Sequence, residues 1–302
     1  MTSVSIKDQD VAKAVEAGHA RQIFMVTGMH RSGTSYLTQT LSLLGLQLPI
    51  SIQPGQQDNP KGHFESFRIT NFHNHLLNYM DLSWDTFVSP PEHWFLSETA
   101  QQAMLGLSAF VERDYPGTGP IVLKDPRLCL LLPLWQKLIL ALGFQGYYII
   151  PLRHPFAVAA SLAQRNQISQ IRSLLIWLNY TLNAEKFSRG RKRSIIVFPN
   201  WVQDIQGSME KVASDLGIGF PEMSVKALTE ARGEFEQTLV HHGESQIDLP
   251  DHEVAKLAID VFNSFKRLAK HELTKHPLHT ETLLVIDGYR NTMNEVIGEE
   301  FL

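Results

Sequence analysis

The chain has 302 residues, 43% of them hydrophobic and 19% charged, enough for one large α/β domain with a sizeable core. A formal net charge of -4 argues against nucleic acid as a partner. The single cysteine, Cys129, excludes an intrachain disulfide and lies in the apolar run Leu128-Cys129-Leu130-Leu131-Leu132, which reads as a buried inert thiol. The 13 histidines show no metal-ligand spacing, and His73 and His75 read as helix-surface residues.

Residues 1–21 read as a tail or short helix without an apolar signal core. Residues 22–302 read as one α/β domain whose last part is helical. Gln22 to Thr27 is apolar on both faces, as a central parallel strand would be. Thr34 to Leu46 predicts a helix with Leu37, Leu41 and Leu44 on one face, stopped by Gly45 and Pro49. Residues 50–63 read as a loop, and Ile69 to Met80 as a helix. Pro90-Pro91 marks a further loop, and Glu98 to Arg113 a further helix.

Ile121 to Leu123 predicts a short buried strand ending at Lys124-Asp125-Pro126-Arg127. Tyr147 to Leu152 predicts a third, ending at Arg153-His154-Pro155, where Pro155 suits a helix first turn. Ile195 to Phe198 predicts a fourth, ending at Pro199-Asn200. Trp201 to Leu216 and Asp251 to His276 read as helices. No apolar stretch reaches the roughly 18 residues of a membrane span, and the chain is expected to be cytoplasmic. Alternating strands and helices predict a mostly parallel sheet with helices on both faces. In such sheets ligands bind beyond the carboxyl ends of the strands, where Arg31, Lys124, Arg153 and Asn200 stand.

The richest of these strand ends is Gly28-Met29-His30-Arg31-Ser32-Gly33-Thr34-Ser35. Its two glycines permit close backbone approach, and the helix that follows offers unpaired N–H groups to an anion. Arg31 adds a bidentate cation, and Ser32, Thr34 and Ser35 add hydroxyls. A nucleotide kinase loop would place Lys and then Ser or Thr after the second glycine; Thr34 and Ser35 stand there instead.

This loop resembles the 5′-phosphosulfate loop of sulfotransferases that use 3′-phosphoadenosine 5′-phosphosulfate (PAPS). Arg153 followed by Ser161 resembles the family's 3′-phosphate pair, with Arg165 four residues on along the same face. The blocks Lys124-Asp125-Pro126 and Asn59-Pro60-Lys61-Gly62-His63-Phe64-Glu65 resemble bacterial and Golgi-type members. The resemblance covers about residues 22–216 and implies a P-loop NTPase-like sulfotransferase fold. It also implies PAPS as co-substrate, no required metal, and in-line sulfuryl transfer to a small-molecule or glycan acceptor. That acceptor would be a hydroxyl of a sugar, lipid or metabolite, or an amine.

On this resemblance His30, Arg31, Ser32, Gly33, Thr34, Ser35, Arg153 and Ser161 would hold the donor. Arg31 and Lys124 would stabilise charge, and Glu65, or else His63, would act as the base. If Phe64 is extended, His63 and Glu65 share a face. Phe198-Pro199-Asn200 departs from the family's Tyr-Glu-Asp after the fourth strand. Trp84, Trp94 and Trp177 are candidates for an acceptor wall, for adenine stacking or for the core, and Arg189 to Arg193 reads as a solvated turn. Two other classes stay open. One is a P-loop kinase or NTPase, for which Leu283-Leu284-Val285-Ile286-Asp287 would be a magnesium-associated strand, although it reads equally as helix. The other is a nucleotide-binding module without transfer activity.

Overall fold

In a computed structural model, residues 20–52, 55, 62–234, 251–271 and 277–300 are described. Nearly all of the predicted tail, and Asn59, Pro60 and Lys61 of the 50–63 loop, lie outside them. Four strands, β1 (Gln22–Val26), β2 (Ile121–Lys124), β3 (Gln145–Leu152) and β4 (Arg193–Val197), form a sheet ordered β2-β1-β3-β4. Every pairing in it is parallel. The predicted α/β class with a parallel sheet between helices holds.

Side chains alternate across each strand. Ile23, Met25, Leu123, Ile150 and Ile195 enter one core, and Phe24, Val26, Val122, Ile149 and Ile196 enter the other. The first core includes residues of α4 (Leu128–Ala141), α6 (Gln170–Ser188) and α10 (Glu253–His271). The second includes α1 (Thr34–Leu43) and α8 (Ile205–Leu216). Burial on both faces explains why β1 reads as a continuous apolar run.

The helix α1 stops three residues before its predicted end, and Gly45 follows at φ 94. A side chain there would also meet Pro221 at 2.8 Å. The helix α2 (Phe67–Tyr79) begins two residues earlier than expected, because Ser66 accepts a hydrogen bond from the Ile69 amide. Ser97 caps α3 (Glu98–Asp114) in the same way, and Pro155 opens α5 (Pro155–Asn166). The single helix expected over Trp201 to Leu216 is two, α7 (Asn200–Gln203) and α8. Asp204 breaks it, adopting φ -127 and capping the Gly207 amide. The helices α9 (Val225–Gly233) and α11 (Pro277–Glu300) complete the described chain. Leu283 to Asp287 therefore belongs to a helix, and the magnesium-associated strand is overturned. Among the described residues no helix is long and apolar enough to cross a membrane.

Register places the site. Val26 pairs with both Lys124 and Ile149, so β2 and β3 end beside the loop that leaves β1.

Candidate functional site

The loop after β1 is pressed against β3 and the turn after β4. A Cβ on Gly28 would lie 2.8 Å from Pro151 Cγ, and one on Gly33 would lie 3.0 Å from Phe198. Gly33 also sits at φ 79, and Arg31 adopts φ 66. Only glycine fits both requirements at position 33. Because Gly33 is the N-cap of α1, no side chain caps that helix, and its first N–H groups face the loop. Ser32 Oγ and Thr27 Oγ1 are buried here without a hydrogen-bond partner.

Arg31 joins the loop to the two residues expected to act with it. Its Nε donates to Ser161 Oγ (2.8 Å), and Arg153 Nη1 donates to the Arg31 carbonyl (2.7 Å). Arg153 is only 7% exposed and lies 4.9 Å over the Phe198 ring. Among the described residues it has no carboxylate partner. Burial, and next the like charge of Arg31, lower its guanidinium to about 10.

Lys124, at the end of β2, is the hub of the other wall. Its ammonium donates to Ser35 Oγ (3.2 Å), to the His63 carbonyl (3.1 Å) and to Glu65 Oε1, forming a buried ion pair. Thr70 donates to the second Glu65 oxygen (3.3 Å). Lys124 is thus no surface lysine. Phe64 is not extended but sits at φ 56, so His63 and Glu65 do not share a strand face; the turn nonetheless leaves both lining the cleft.

His30 is half-buried, edge-on to Trp84 and near Tyr180. Its Nε2 is buried without a partner. Burial, and then Arg127, hold the imidazole well below its ordinary value, so it is neutral at physiological pH.

These groups line one cleft of about 910 Å³ of empty space, its open mouth included. Every predicted site residue borders it except Ser32 and Ser161, which stand behind Gly33 and Arg31. Sequence reasoning missed Tyr36, Gln39 and Glu234 in its lining, and named Phe198, which also borders it, only as a departure from the family block. It also gave no role to Arg127, which stands just past β2 and borders a second recess with Glu65. The one available signal was its place at a strand end.

Other expectations change. His73 is not on a helix surface but fully buried. Its Nε2 accepts from the Trp135 indole (2.8 Å), so its Nδ1 carries the proton and donates to Asp125 (2.7 Å). Burial alone would raise the Asp125 carboxyl, but Arg127 and His73 outweigh it and hold it well below the usual carboxylate range. Trp94 and Trp177 are core, Trp177 donating to the Arg153 carbonyl (3.1 Å), and Trp84 lines the second recess. Cys129 is buried and its thiol is pushed up by burial, as its apolar run implied. Gly190, Arg191 and Lys192 form the exposed turn expected there, but Arg189 is held at its start and Arg193 is buried at the head of β4. Both bind the buried carboxylate of Glu185. Asp287, with Arg189 and Arg290 on it, is part of the same cluster. Among the described residues no group of three or more His, Cys, Asp or Glu is placed to hold a metal ion.

Among solved structures, the chain is similar to the sulfotransferase domain of the Synechococcus PCC 7002 olefin synthase: 19% identity, 82% of this chain, 96% of that one, TM-score 0.46. It is also similar to the sulfotransferase domain from the curacin biosynthetic pathway, at 14% identity, 81% and 98% coverage and TM-score 0.47. Sulfotransferase STF9 from Mycobacterium avium matches at 13% identity, 88% and 80% coverage and TM-score 0.45. No protein-family model and no curated protein matches the chain.

Proposed function

We propose that the chain is a sulfotransferase that moves the sulfuryl group of PAPS to a hydroxyl acceptor. One observation carries the reading. Arg153 is a buried cation with no carboxylate among the described residues, set against a second cation on a glycine-bounded loop whose helix N-terminus is uncapped. A buried charge without a counter-charge is costly, and an anion at this place supplies one. Arg31, Ser35 and the α1 N-terminus suit the phosphosulfate. Arg153 and Ser161 suit the 3′-phosphate, and Phe198 and Tyr36 border the end left for the base. The orphaned Ser32 hydroxyl and the space kept free at Gly33 fit such a donor.

Glu65 accepts the acceptor's hydroxyl proton as the acceptor oxygen bonds to sulfur and the bond from sulfur to the 5′-phosphate oxygen breaks. Lys124 and Arg31 stabilise the charge left on that phosphate oxygen. Lys124 reaches Ser35 and Glu65 together, so donor loop and base are held by one ammonium. His30 is neutral and serves as a hydrogen-bonding wall.

Adenosine 3′,5′-bisphosphate (PAP) is expected to raise the melting temperature without magnesium, and ATP with magnesium to do little. The reverse ranking sinks the reading in favour of a kinase. Glu65→Gln is expected to lower kcat by about 10²–10⁴-fold while PAP still binds. If turnover survives with PAP binding, Glu65 is not the base. If wild type binds PAP but transfers to no acceptor, the silent binding module is the better account.

A further inference from the structure

A second recess, about 690 Å³ with its open mouth, adjoins the donor cleft. The two share His30, His63, Glu65 and Arg165. Its remaining wall is built from α2 and the turn after β2, and it is mostly polar. Asn71 and Asn74 are there, three positions apart on α2, with Arg127 beside them and Trp84 across. Arg127 is held rigidly. Its Nε donates to Asn74 Oδ1 (2.7 Å), and its Nη1 and backbone amide both donate to Asp125 Oδ1 (2.8 and 3.0 Å). The residue is only 8% exposed, and its Nη2 has no partner among the described residues. Two fixed bonds therefore set the guanidinium plane and leave one donor edge unused. Asn74 has spent its carbonyl oxygen on Arg127 and keeps its two amide donors.

The electrostatics of the two cavities differ. Arg153 has no counter-charge among the described residues, whereas Arg127 is neutralised by Asp125 and also feels Glu65. Arg165 stands on the edge shared with the donor cleft, so the wall of Asn71, Asn74 and Arg127 offers oriented donors whose one cation is neutralised by Asp125. Neutral oxygen atoms suit such a wall better than an acid group does. A hydrocarbon chain suits it least, because filling the recess would strip water from Asn71, Asn74 and Arg127 without replacing those hydrogen bonds. Trp84, half-buried, adds ring surface of the kind that packs on the C–H face of a saturated ring.

We infer that this recess is the acceptor subsite and that its acceptor is an uncharged polyhydroxylated ring, a sugar or cyclitol, with one hydroxyl presented to Glu65. The inference rests on the sulfotransferase reading.

The test gives the full chain PAPS with methyl hexopyranosides, a cyclitol, a hexuronate or a long-chain alcohol, and follows sulfated product by mass spectrometry. The uncharged rings are expected to be sulfated in preference to the other two. Asn74→Ala and Asn71→Ala are each expected to raise KM for the ring by about tenfold while kcat changes less than about threefold. PAP affinity should be unchanged in both. Asn71 is exposed on α2, so its variant keeps the test alive if Asn74→Ala fails to fold. Preference for the alcohol or the hexuronate overturns the acceptor class. So does PAP binding without product from any ring, and so do asparagine variants that change PAP affinity instead of KM. Failure of wild type to bind PAP strikes the underlying reading itself, and is told apart by that titration.

Discussion

Arg153, just past β3, and Arg193, opening the neighbouring parallel strand β4, are both buried, 7% and 5% exposed. They stand at opposite ends of the sheet and are treated in opposite ways. Arg193, opening β4, donates to the Glu185 carbonyl (2.9 Å), its carboxylate (3.1 Å) and Ser188 Oγ (3.3 Å). Glu185 also takes Arg189 and Arg290, and Asp287 closes the circuit. Arg153, just past β3, meets a backbone carbonyl and an aromatic face. The comparison teaches where to look for a ligand. The charge of Arg193, at the amino end of β4, is closed within the protein, and that of Arg153, past the carboxyl end of β3, meets no carboxylate among the described residues, on the side where parallel sheets bind ligands.

Removing the acid at the closed end should have the largest effect. Burial would raise Glu185, but Arg189 and then Arg193 and Arg290 outweigh it and hold it low. Glu185→Ala strands those cations, and is expected to cost about 3–5 kcal/mol in urea unfolding. Arg153→Gln at the open end should do the reverse. Apo stability should change by less than about 1 kcal/mol, while PAP affinity by calorimetry falls about 10- to 150-fold, the worth of a hydrogen bond to a charged group. If Arg153→Gln destabilises as much as Glu185→Ala, the contrast is false.

The smallest effect concerns His30. Its folded value lies below the unfolded one, so the unfolded chain binds more protons at acidic pH, and stability present near neutrality is lost as pH falls below about 6.5. His30→Gln should flatten the dependence between about pH 7 and pH 5 by at most about 1.4 kcal/mol per pH unit. A slope that the substitution leaves unchanged would detach His30 from it.

The strand-loop-helix at Gly28 to Ser35 was legible because it is local: an apolar strand, two glycines and a helix start within a short stretch. The strand ends at Lys124 and Arg153 were legible for the same reason. Leu128 to Ala141 hid its helix, because burial on nearly every side erases the 3.6-residue period. His73 misled because polar neighbours at Asn71, Asn74 and His75 mimic a solvated face, while its partners lie 52 and 62 residues away. Arg189 looked solvated because Asp287 is 98 positions distant. Arg127 was visible at a strand end, but its free edge depends on Asn74, a contact no spacing reveals.

The hydrogen bonds at His73 join the core to the recess. Trp135 donates to His73, His73 donates to Asp125, Asp125 receives Arg127, and Arg127 donates to Asn74 at the recess. An indole in the deepest part of the core thereby sets the tautomer of one ring and, through it, the pose of a guanidinium at the surface of a cavity. A change at Trp135 would therefore reshape the recess without altering a single residue that lines it.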